Sequence, residues 1–173
     1  DCSISSNGSA CVIVSNDKTD IEVKGSAHIT DSIAPFERDD MTSFNATKIA
    51  ADNAFKQAGI ERQNIDIAEV HDAFTPAEII SYEDLGFAEK GLGMELIRKG
   101  NTKIDGRLPV NTSGGLKAKG HPISATGLGQ IYELVKQLKG EAGERQVQCT
   151  KALAHNNGGC GSSVAVHILE KVN

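Results

Sequence analysis

The sequence predicts an α/β fold in which a mixed sheet carries helices on its faces. Short runs rich in β-branched residues alternate with longer stretches of helical periodicity, in the order β-α-β-α-α-β-β. Glycine or proline marks most of the changes of period. The last two apolar runs are joined by a glycine-rich turn, the pattern of an antiparallel hairpin.

Residues 9–15 (SACVIVS) form a short β-rich run, and 21–29 (IEVKGSAHI) alternate as a strand does. The polar, acidic stretch 30–41 contains Pro35 and is a loop. Thr42 or Ser43 is placed to cap a helix running to about Ala58. Ala46, Ile49, Ala50, Ala54 and Phe55 lie on one side of it, and Gly59 is its stop. IDIAEVHD (65–72) reads as a buried strand. Thr75 then caps a helix over 76–85 with Pro76 at its first position, and a short helix over 91–99 ends at Gly100. Residues 101–122 are mostly loop. An amphipathic helix over 124–139 repeats Leu128, Ile131, Val135 and Leu138 at helical spacing. The hairpin is VQCTKALA (147–154), the turn NNGGCG (156–161) and SSVAVHILE (162–170).

At 173 residues this is one ordinary domain or one large piece of something bigger. The first residues read as mid-motif, which is expected of a fragment or a separated half rather than a processed start. With 39% hydrophobic and 24% charged residues, the composition is that of a globular protein. No apolar run approaches a membrane span. A net charge of −5 and scattered lysines exclude a general nucleic-acid binder. Four cysteines without a C-x-x-C pair read as reduced thiols, so the expected compartment is cytoplasmic and a structural zinc site is not expected.

The densest chemistry lies in TSGGLKAKGHPISATGLG (112–129), where His121 stands between Gly120 and Pro122 ahead of a helix. Glycines let a substrate approach the backbone, and the helix N-terminus favours developing negative charge. His71 falls where a strand ends, and His155 where the last hairpin turns. Loops beyond the carboxyl ends of strands form sites in α/β sheets, so the three are expected to converge on one pocket. The bland alternative leaves His71 and His155 to satisfy backbone groups. Asp72, pointing away from His71 in an extended chain, is expected to bond loop amides or cap a helix. The turn around Asn157 and Gly158 suits an oxyanion hole or a plain tight hairpin. Cys160 is a candidate acid/base thiol or a packed small residue. His28 and His167 are assigned no role. His71, His121, His155 and Cys160 could also bind zinc, but their spacing does not demand it, and no metal is expected.

These motifs together resemble the thiolase superfamily. HDAF (71–74), GGLKAKGHP (114–122) with SATG (124–127), and HNNGG (155–159) are similar to its active-site loops, in the form of the sterol-carrier-protein-type and archaeal enzymes. SNGSACVIV (6–14) resembles the segment closing the first half of those enzymes. The resemblance covers nearly the whole chain and implies a thiolase-like half with a five-stranded mixed sheet. It divides the chain into residues 1–18, the tail end of the N-terminal half, and residues 19–173, the C-terminal domain. It further implies an acyl-CoA C-acyltransferase doing Claisen chemistry, with a coenzyme A thioester as substrate and no permanently bound cofactor. The implied partners are an N-terminal thiolase half and a second copy, in a homodimer or higher oligomer.

In that scheme His121 takes the proton of a nucleophilic cysteine and helps hold the thioester oxygen. His71 helps hold the same oxygen, and the backbone N–H of Asn157, with Gly158, serves a second oxyanion hole. The chain departs from the pattern in two places. The nucleophilic cysteine belongs to the other half, and Cys2, Cys11 and Cys149 sit in or beside predicted strands rather than on an activating strand-to-helix turn. His155 stands where many thiolases carry the acid/base cysteine, and Ala73 where one subgroup carries its own, leaving Cys160. The chain alone is therefore expected to be inactive. A thiolase-like aldolase needing no acyl-enzyme, and a non-catalytic structural or interaction subunit, are the alternatives.

Overall fold

The computed structural model describes residues 2–172. Strand β1 (Ile21–Thr30) is followed by helix α1 (Asn45–Ala58), a short strand β2 (Ile67–Glu69), and helices α2 (Thr75–Asp84) and α3 (Gly93–Arg98). A one-turn helix α4 (Gly115–Lys119) precedes the long helix α5 (Thr126–Lys139), and strands β3 (Lys151–Gly158) and β4 (Ser163–Lys171) close the chain. The four strands form one sheet in the order β1-β4-β3-β2. β4 runs antiparallel to both neighbours, and β2 runs parallel to β3, so the sheet is mixed as expected.

Helix α1 packs on one face. Its Ala46, Ala50, Ala51 and Ala54 are fully buried, and their small side chains bring the helix down onto Ala27, Ile29, Val164, Val166 and Ile168. The approach is so close that a Cβ at Gly25 would collide with the carbonyl of Ala54, and β1 bulges there between Val23 and Gly25. Helix α5 covers the other face over β3 and β2. There Leu134 and Leu138 meet Ile67, Ala152, Ala154 and Leu169, each leucine contributing about 1.5–3 kcal/mol of burial. Gly59 and Gly140 end α1 and α5 in left-handed conformations, the Gly59 stop as read from the sequence.

Several expectations are corrected. The five-stranded sheet has four strands among the described residues. At the place of a fifth, Val110 makes a single parallel bridge to Ala68. Pro109 has no N–H to extend that ladder, and Asn111, at φ 54°, turns the chain away. The Asn111 side chain then stands in for the missing strand, its Oδ1 accepting from Val70 N at 2.8 Å. The run 9–15 joins no ladder, and Ile13 and Val14 stay exposed. Neither Thr42 nor Ser43 caps α1. Ser43 Oγ instead donates to Asp84 Oδ1 at 2.8 Å, and the same carboxylate accepts the N–H of Phe44. Helix α4 lies inside the stretch read as loop. The final turn begins at Gly159, three residues later than expected, which places His155 inside β3.

Candidate active site

A cavity of about 700 Å³ opens beside the end of β3, with His71, His121, Asn156, Asn157, Gly158 and Cys160 among its lining residues. His71 follows β2 and is buried. Its Nδ1 accepts from Asn156 Nδ2 at 3.2 Å. The orientation of that amide is fixed from behind: Gln130 Nε2 donates to the His155 carbonyl at 2.9 Å, which turns Gln130 Oε1 toward Asn156 Nδ2 at 3.1 Å. An Nδ1 that accepts leaves the proton on Nε2, so neutral His71 offers an N–H donor. Burial, with the charge of His121 as the second cause, pushes its pKa down to about 4.

His121 is arranged the opposite way. Its Nδ1 lies 2.8 Å from Thr126 Oγ1, whose single proton goes to the Pro122 carbonyl at 3.2 Å. Nδ1 therefore carries the ring proton, and Nε2 keeps a bare lone pair. The two rings stand edge to face with centroids 5.1 Å apart and planes at 76°. One donor and one acceptor thus sit side by side at the same cavity. Pro122 opens a turn rather than α5 itself, which starts at Thr126.

Two of the three expected histidines meet, and the third does not. Side chains alternate along a strand, so Ala154 and Asn156 face α5 and the cavity while His155 points to α1. His155 is fully buried there, its Nε2 3.1 Å from Thr47 Oγ1, and burial followed by the charge of His71 pushes its pKa down to about 3. Asn157 is buried and lines the cavity where the sheet ends. Cys160 is exposed at the tip of the turn, with φ 57°, and lines the cavity, so it is not a packed residue. Cys2 and Cys11 are exposed, and burial pushes the Cys149 thiol up to about 11.

The loop carrying His121 is held by two buried carboxylates, of which sequence reasoning missed Glu69. Glu69 accepts from Ser113 N at 3.1 Å and Ser113 Oγ at 2.6 Å, with Lys119 Nζ at 3.8 Å. Its burial raises its pKa. The signal was present as an acid inside the run read as a buried strand. Asp72 Oδ1 accepts from Leu116 N at 2.8 Å, the expected loop-amide role, on α4 rather than on the helix after it. Gln130 and Thr126 were also missed; both lie on the inner face of α5. His167, assigned nothing, lines the cavity with its Nδ1 3.0 Å from Ser26 Oγ. Among the described residues, no three His, Cys, Asp or Glu side chains are grouped to hold a metal ion. No described helix is long and apolar enough to cross a membrane.

One mixed α/β sheet thus delivers two complementary imidazoles and a glycine turn to one cavity. The chain belongs to the thiolase superfamily: the description "Thiolase C-terminal domain-like" matches residues 25–171. It is 48% identical over 179 residues to an acetyl-CoA acetyltransferase of Methanothermobacter thermautotrophicus, covering 99% of this chain and 47% of that protein. It is 36% identical over 177 residues to sterol carrier protein 2 of Homo sapiens, covering 95% of this chain and 32% of that one. A solved structure described as an Ltp2-ChsH2(DUF35) aldolase matches with a TM-score of 0.77 at 26% identity, over 87% of this chain and 39% of that chain. The chain therefore spans about half the length of its archaeal relative and about a third of the human one.

Proposed function

We propose that these residues supply the base and oxyanion-binding loops of a thiolase-like acyl transfer on coenzyme A thioesters, with a cysteine outside this chain as nucleophile. The observation that carries this reading is the edge-to-face pair with opposite ring protonation. His121 Nε2, a lone pair, takes the thiol proton and returns it to the leaving group. His71 Nε2–H, neutral at pH 7, donates to the thioester oxygen as negative charge develops on it. Backbone N–H groups of the turn, Asn157 and Gly158 foremost, serve the second oxyanion. Cys160 is the remaining thiol at the cavity and the candidate second acid/base. His155, behind the sheet, positions Gln130 through its carbonyl and through it His71. The sequence similarity to an acetyl-CoA acetyltransferase and the family match support the thioester as substrate.

The same reading divides the chain at about residue 18, with 19–173 as the C-terminal domain, and sets it in the cytoplasm, where free thiols stay reduced. Ile123, Leu128 and Tyr132, exposed on or just before α5, support the docking of an N-terminal half and assembly with a second copy. The test is reconstitution with a cysteine-bearing N-terminal thiolase half. The chain alone should give no thiolysis of an acyl-CoA and the pair should give it. Activity in the free chain, or none in a well-formed pair, overturns the reading.

Ala73 and the likeness to an aldolase support a second reading, cleavage of a carbon–carbon bond without an acyl-enzyme. Mass spectrometry of the assembled protein during turnover separates the two. An acetylated cysteine supports acyl transfer, and turnover with no such adduct supports the aldolase.

A further inference from the structure

Both main-chain groups of His121 are engaged by one distant segment. Its N–H donates to the Ile4 carbonyl at 2.8 Å, and its carbonyl accepts from Ser6 N at 3.3 Å. One residue before Ile4 the same segment reaches the other active-site loop, Ser3 N donating to the Ala73 carbonyl at 2.9 Å. Isolated bridges pair Cys2 with Phe74 and Ser5 with His121. Lys117 Nζ, on α4, adds a bond to the Cys2 carbonyl at 3.1 Å. Residues 2–6 thus run as an extended strap between HDAF and the His121 loop, and Cys2, Ser3 and Ser5 line the cavity on the way.

The fit is close on the His121 side. Gly120 sits at φ 83°, and a Cβ there would come within 2.6 Å of Ser6 Oγ. Thr126 sets the ring of His121, but its backbone is held by the strap and not by its own loop. We propose that residues 3–6 are a positioning strap that sets the main chain of His121 and its separation from the His71–Phe74 loop. The segment read as the tail of the other half is, on this view, part of the site's frame. The proposal rests on the acyl-transfer reading only in treating His121 as a base.

The test needs no turnover, so its failure is distinct from a failure of reconstitution. In the unmodified 173-residue chain, labelled with 15N, the amides of Ser3 and His121 should exchange with a common protection, because opening the strap frees both. In S6P, which removes the amide bonded to the His121 carbonyl, His121 amide exchange should quicken by roughly three- to tenfold, the weight of one hydrogen bond. The imidazole 15N shifts should move from the Nδ1–H form toward a mixture, while Leu153 and Val166 in the sheet keep their protection. S6A retains the amide and should behave as the unmodified chain. The proposal is overturned if Ser3 exchanges freely while His121 stays protected, or if S6P leaves both the His121 amide and its ring tautomer unchanged. Should S6P fail to fold, the comparison of Ser3 with His121 in the unmodified chain decides alone.

Discussion

Strand β3 has two sides, and they are spent differently. Toward α1 it presents Leu153 and His155, sealed among alanines and β-branched residues with no water access. Toward α5 it presents Ala154 and Asn156, at a cavity with polar groups. His155 and His71 are both held neutral by burial, yet only His71 turns a donor toward the cavity. A depressed histidine pKa therefore does not by itself mark a group that serves the cavity; where its ring points decides. Substitutions on the α1 side should cost stability, and substitutions on the cavity side should cost turnover.

The largest expected effect is on the cavity side. H121A in the reconstituted assembly should lower kcat/KM on the order of 100-fold or more, the weight of a general base, with an unchanged circular dichroism spectrum. Unaltered turnover would make the domain a structural subunit.

Acid should act on both faces at once. The folded pKa values of His71 and His155, about 4 and about 3, lie below the ordinary 6.5. Between those values the unfolded chain binds more protons than the folded one. Stability is then full above pH 6.5 and falls as pH drops, by roughly 3–5 kcal/mol down to pH 4.5 for the two together. Burial raises the pKa of Glu69 and Glu78, so their protonation in the folded state offsets part of this loss as pH falls. Urea midpoints at pH 7 and pH 5 measure it, and equal midpoints would mean that the two rings are not buried neutral.

H155A should separate the faces most cleanly. It should lose about 2–4 kcal/mol in urea unfolding while the folded fraction keeps its turnover, because the Gln130 bond goes to the backbone carbonyl. N156A should do the reverse, lowering turnover by roughly tenfold as the His71 proton is freed to move to Nδ1, with little change in midpoint. G25A, on the α1 side, should cost about 1–3 kcal/mol by pushing β1 off α1, with no effect on catalysis per folded molecule.

Much of this frame was legible before any coordinates. The alanine repeat from Ala46 to Ala54, the Gly59 stop and the final hairpin rest on local periodicity and local backbone freedom, which a sequence displays directly. The loop glycines and His121 were legible for the same reason. What was hidden depends on partners far along the chain. The face of His155 follows from the register of β3 on β4, and shifting the turn from Asn156 to Gly159 changes where that histidine sits. The missing strand at Val110 turns on Pro109 and Asn111 meeting Ala68 from far along the chain. Ser43 was read as a cap because Asp84, its real partner, is 41 residues away. Glu69 and Gln130 were overlooked because nothing nearby in sequence explains a buried acid or amide.

Among the described residues, the ladder between β1 and β4 joins the first strand to the last, Ile21 pairing with Lys171. Contacts of such long sequence separation slow folding, since the loop between them must be ordered first. During synthesis β1 must wait for the final strand to emerge, leaving the underside of α1 unsupported. A stalled or prematurely ended chain would expose β1 as an open edge, a template for aggregation.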